Sequence, residues 1–167
     1  MRSRHRHLAL FSALACSMFA FFAFSTALPA QAQQSPAVPS ISSVIETYKQ
    51  ALMKLDGATV ASLFSDDVVI SDLGTVAKGK ADAIAQLRQA VQENPNLQVS
   101  FSDTSYSLDT AIERAAFTSD TVRAGGASRL WEIETFVVNN GKIVSYTAVF
   151  DTSDAETARF VAAMAGQ

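Results

Sequence analysis

Cysteine and histidine are almost missing from this chain, and what little there is lies at its start. The 167 residues contain one cysteine, Cys16, and two histidines, His5 and His7. Beyond position 16 there is neither. A domain built from the rest has no disulfide, no cysteine nucleophile, no Ser-His-Asp triad and no histidine-ligated metal. Acidic residues are also missing from the first 45 positions, where Arg2, Arg4 and Arg6 precede an uncharged apolar stretch from Leu8 to Leu28. Pro29 and the small-residue pattern Ala30-Gln31-Ala32 follow. A positive start, an apolar run and an A-x-A site make a secretory signal. Met1 to Ala32 is therefore expected to be a cleaved signal peptide, and the protein to be periplasmic or secreted. Retention as a membrane anchor is the alternative, because the apolar run is just long enough to span a bilayer.

Cleavage changes the charge. Lys+Arg falls from 13 to 10 as the three arginines leave, against 16 acids, so the net charge goes from −3 to −6. That argues against nucleic acid, which requires a basic face, and no membrane contact is expected after cleavage. Carboxylates, tyrosine, lysine, arginine and hydroxyls remain for chemistry.

Gln33 to Ser40 is polar and punctuated by proline, a linker ahead of a single domain at 41–167. Ile41, Val44, Ile45, Tyr48, Leu52 and Leu55 form one stripe of an amphipathic helix. Asp56-Gly57 should end it, with Gly57 in the left-handed position. A short helix over Ala58 to Phe64 is predicted next, then a β-branched strand, Val68 to Ile70, running out at Asp72-Leu73-Gly74. A third helix spans Lys80 to Val91. From Leu97 the period becomes two. Strands are predicted at about Leu97 to Ser102, Ala111 to Thr121, Arg129 to Val138 and Ile143 to Phe150, the last two joined by Asn139-Asn140-Gly141-Lys142, a hairpin turn. A helix over Asp154 to Met164 closes the chain. Helices first and strands after predict an α+β fold, with helices packed on one face of a curved antiparallel sheet.

This order, with its local words, resembles the nuclear transport factor 2-like superfamily, a cone-shaped α+β fold, and within it ketosteroid isomerase and the SnoaL-like polyketide cyclases. The words are Tyr48-x-x-Ala51-Leu52-x-x-x-Asp56, Leu63-Phe64-Ser65-Asp66-Asp67, Gly79-Lys80-x-x-Ala83-Ile84 and Asn140-Gly141-Lys142-Ile143-Val144. The resemblance implies a small apolar ligand, no cofactor or metal, and a homodimer. It also implies three site residues. Tyr48 matches the family's oxyanion-donating tyrosine ahead of an Ala-Leu pair. Asp72 matches its general base, at the family's distance from that tyrosine. Glu134, two residues before Phe136, matches its carboxylic acid, although the family has the shorter Asp there. Such a trio would move a proton α to a carbonyl, with neutral donors stabilising the enolate.

Each residue also has a structural reading. Tyr48 lies on the apolar stripe and could be core. Asp72 could cap a turn. Glu134 shares a strand face with Glu132, Phe136 and Val138, and alternation does not say whether that face or the one carrying Trp131, Ile133, Thr135 and Val137 is interior. Phe64, Phe101, Phe117 and Trp131 read as core or cavity wall. The resemblance also admits limonene-epoxide hydrolase chemistry, for which Arg114 and Arg129 are candidate arginines; scytalone dehydratase-like chemistry fails for want of histidine. A non-catalytic ligand-binding or dimerisation module of the same fold is the other functional reading.

Overall fold

A computed structural model describes residues 38–166. The expected signal peptide, most of the linker and Gln167 lie outside the described residues. Helix α1 (Ile41–Met53) is capped by the Ser40 side chain, which accepts from the Ser43 amide, and buries Val44, Ile45, Tyr48, Ala51 and Leu52. It ends differently from expectation. Leu55, not Gly57, takes the left-handed conformation (φ 54°), and Gly57 opens α2 (Gly57–Leu63). The reason is Asp56, whose carboxylate accepts from the Thr59 amide at 3.1 Å and so caps the second helix.

Strand β1 (Phe64–Asp72) is longer than its β-branched core, with a break in register between Phe64 and Val69. A tight turn through Leu73 and Gly74 returns it as β2 (Thr75–Lys78), an edge strand too short for periodicity to reveal. Gly79, at φ 84°, leads into α3 (Lys80–Glu93). Then come β3 (Gln98–Ser107) and β4 (Thr110–Thr118). The strand expected to reach Thr121 stops earlier, because Ser119 accepts from the Val122 amide and starts the short helix α4 (Asp120–Ala124). Strands β5 (Leu130–Asn139) and β6 (Lys142–Phe150) meet at the predicted hairpin, where Asn140 (φ 50°) and Gly141 (φ 73°) both take the positive φ that a type I′ turn requires. Helix α5 (Ala155–Ala165) follows.

The six strands lie in the order β2-β1-β6-β5-β4-β3. All neighbours are antiparallel except β1 and β6, which run parallel. That pair corrects the wholly antiparallel expectation: it joins the first strand to the last, a crossover that local alternation cannot show. The fold class is otherwise as expected, α+β with α1 and α3 packed on the sheet's buried face. Val68, Phe136 and Ile143, all fully buried, meet Ile45 of α1 in the core.

Candidate functional site

The same face settles the orientation of β5. Leu130, Glu132, Glu134, Phe136 and Val138 are buried, and the residues between them are partly exposed. Trp131 is therefore neither core nor cavity wall. It lies on the outer face, with the Arg114 guanidinium 3.9 Å and that of Arg129 5.8 Å from its ring centre. Arg114 also pairs with Asp151 at 2.7 Å. Both candidate arginines are thus remote from the interior, and among the described residues no Lys, Arg or His lines the cavity. Phe64 and Phe117 do line it, and Phe101 packs against the core.

The cavity, about 280 Å³, lies between the helices and the sheet. Tyr48 from α1, Asp72 at the end of β1 and Glu134 from β5 all open on it. Register explains how. Asp72 pairs with Ala148 on β6, Ala148 pairs with Glu134 on β5, and Glu134 pairs with Glu113 on β4. One row across four strands thus carries a carboxylate, a methyl group and two facing carboxyls. The neighbouring row brings Ile70, Tyr146, Phe136 and Ala111 together. Aromatic rings pack over it: Tyr48 lies 4.9 Å from Phe136 edge-on and 6.3 Å from Tyr146.

Glu134 is fully buried and accepts from the Tyr146 hydroxyl at 2.9 Å. Its other oxygen, and Oε1 of Glu113, are buried with no hydrogen-bond partner among the described residues. The two residues face each other in register, so a proton on one carboxyl would serve both. Burial, with Glu113 and Glu132 nearby, holds the Glu134 acid well above the usual carboxylate range. Glu113 is raised too, by burial, but the neighbouring Glu134 acid and the Lys49 ammonium oppose this. Lys49 Nζ lies 4.0 Å from Glu113 Oε2, and Thr104 donates to the same oxygen at 3.4 Å. Of the two, Glu134 is held the more strongly protonated, and the Lys49 ammonium favours the ionised form of Glu113.

Asp72 is raised by burial. Glu132, a third acid on the cavity wall beside Asp72 and Glu134, is pushed up to about 8 by burial and by the charge of Asp72. Both phenols, Tyr48 and Tyr146, are held well above the ordinary tyrosine range, chiefly by burial, and stay neutral donors. Sequence reasoning missed Tyr146 and Glu113 and passed over Glu132. The available signal was two acids at alternate positions on one strand, Glu132 and Glu134, with Glu113 placed opposite by the pairing of β4 and β5.

The model of the SnoaL-like domain family matches residues 45–146, which span α1 through Tyr146. None of the curated proteins compared matches the chain. Among solved structures, a Sinorhizobium meliloti protein assigned as a polyketide cyclase shares 17% identity at a TM-score of 0.58, covering 64% of this chain and 93% of its own. A Kribbella flavida protein assigned as a ketosteroid isomerase shares 20% at 0.53, covering 64% and 74%. An LEH-like epoxide hydrolase of M. tuberculosis shares 22% at 0.54, covering 73% and 92%. These likenesses are of fold. The family match, across most of the domain, makes the chain a member of the SnoaL-like domain family, and its fold is of the nuclear transport factor 2-like kind.

Proposed function

We propose that the cavity catalyses proton transfer at the carbon next to a carbonyl of a small, largely apolar substrate, an isomerase- or cyclase-type reaction without a cofactor. The observation that carries this is the convergence of Tyr48, Asp72 and Glu134, from three separate elements, on one cavity. The Asp72 carboxylate takes the α proton. The C–H electron pair forms a C=C bond, and the carbonyl π electrons move onto oxygen. The neutral Tyr48 phenol donates to that oxygen, and one such donor in a dry site contributes about 3 kcal/mol. Glu134 keeps the adjacent Tyr146 hydroxyl in place and, being protonated, puts no negative charge beside the enolate. Asp72 then returns the proton to the same or a conjugated carbon, or the enolate carbon closes on a second carbonyl. Burial brings the basicity of Asp72 toward neutral pH, where a general base works best.

The same reading has the domain act outside the cytoplasm after cleavage at Ala32, supported by the charge, apolar and A-x-A pattern ahead of it. It also has the domain act as a homodimer through the outer sheet face, where Ile112 and Val149 are exposed. The test of the chemistry is Asp72→Asn, which should end α-deuterium incorporation into ketones in D2O while leaving the fold intact. Exchange at the wild-type rate removes Asp72 from the mechanism.

A further inference from the structure

Glu132 has no role in that chemistry. It is 7% exposed, opens on the cavity and hydrogen-bonds to nothing among the described residues. A buried carboxyl without a donor or counter-ion is costly, and the usual remedy is a partner. Its surroundings show what partner would fit. Glu132 pairs in register with Phe150, so both side chains leave the sheet on the same side. Phe160 of α5 stands edge-on to Phe150, with ring centres 6.5 Å apart and planes at 61°. The Phe160 ring occupies the place a side chain on Gly125 would need, which fixes its position. Both rings line the cavity. A carboxylate on the same cavity wall as two steeply inclined aromatic rings offers an anion and π systems to one guest, the combination that holds ammonium groups.

We propose that the Glu132–Phe150–Phe160 end of the cavity is a subsite for an organic cation, a protonated or quaternary ammonium group. The ionisable groups facing it are Tyr48 from α1, Asp72 from β1, Glu134 from β5 and Tyr146 from β6; α3, α4 and α5 contribute none to the lining. None of them is a cation, so no positive charge in the cavity lining competes with the guest for Glu132, and an anionic guest is repelled. Because Glu132 is pushed up to about 8, the guest meets an ionised partner more often as pH rises toward that value, and its affinity climbs accordingly. The subsite deepens the proposed function by naming the substrate as a carbonyl compound that carries an amine. Its test involves no turnover, so it and the proton-transfer reading fail independently.

The test is a titration of the whole domain with choline, its neutral carbon isostere 3,3-dimethylbutan-1-ol, and the anion 3,3-dimethylbutanoate, followed by NMR. Choline should bind at least about tenfold more tightly than the isostere, and the anion should not bind. Glu132→Gln should bring choline down to the isostere's affinity and leave isostere binding unchanged, which also reports an intact cavity. If that variant does not fold, Phe160→Leu should lower the preference for choline several-fold. No binding of choline, equal binding of choline and the isostere, or a preference that survives loss of Glu132 and of the Phe160 ring would overturn the proposal.

Discussion

Asp72 and Glu134 sit on either side of Ala148 in a single row of the sheet, so that only a methyl group separates two acids on the cavity floor. Neighbouring strands lie about 4.8 Å apart, which leaves roughly 10 Å between the two backbones. Position 148 is alanine, itself 1% exposed. A larger residue there has no free space and must displace the acids on either side of it.

Ala148→Leu should therefore abolish ligand binding while the domain still folds, at a cost of about 1–3 kcal/mol from overpacking. Urea denaturation and ligand titration on the same sample check both parts.

Glu134→Gln and Glu134→Ala should separate. Glutamine keeps the size and neutrality of the protonated acid and an acceptor for Tyr146, so stability near pH 7 should change by less than about 1 kcal/mol. Alanine leaves a void and strips both Tyr146 and Glu113 of a partner, at about 2–5 kcal/mol. Chemical denaturation of the two variants distinguishes them, and equal losses would contradict a neutral Glu134.

For Glu132 the sign can be worked through. Its folded value, about 8, lies above the ordinary 4.5. The stability it contributes is thus complete below pH 4.5 and is lost as pH rises to 8, because the unfolded chain ionises first. Glu132→Gln removes the titrating group. The variant should match wild type near pH 4 and exceed it near pH 8, by up to a few kcal/mol. Urea melts at the two pH values provide the check, and parallel pH profiles would show that Glu132 titrates normally.

Much of this fold is local, and what is local could be read from the residues. The apolar stripe of α1 placed Tyr48, the β-branched run before Asp72 gave β1, and Asn140-Gly141 gave the last hairpin. What depended on pairing could not be read. The parallel partnership of β1 and β6 joins distant segments. The interior face of β5 is the one carrying two acids, which hydropathy alone would have sent outward, and Glu113 meets Glu134 only through the register of β4 with β5. At the end of α1, the capping carboxylate of Asp56 outweighed the conformational freedom of Gly57.

Lys49→Met tests which of the two facing carboxyls ionises first. The ammonium, 4.0 Å from Glu113, favours the ionised form there. Without it the Glu113 carboxyl should titrate at higher pH than in wild type, seen by carbon-13 NMR of the glutamate carboxyls. An unchanged titration would place the charge elsewhere.

Intact mass spectrometry of the protein recovered from its native host should find a chain beginning at Gln33. A chain retaining Met1 to Ala32 would mean that the segment is kept as an anchor.

The central claim is that Asp72 and Tyr48 act together on a carbonyl compound in one cavity, and deuterium incorporation into cyclohexanone in D2O, followed by NMR, tests it most directly. Wild type should exchange α protons faster than buffer. Tyr48→Phe should be slower by about 10²–10³-fold, the loss expected for one oxyanion donor, and Asp72→Asn should fall to the buffer rate. Exchange by wild type no faster than buffer, or equal rates in all three proteins, would contradict the account.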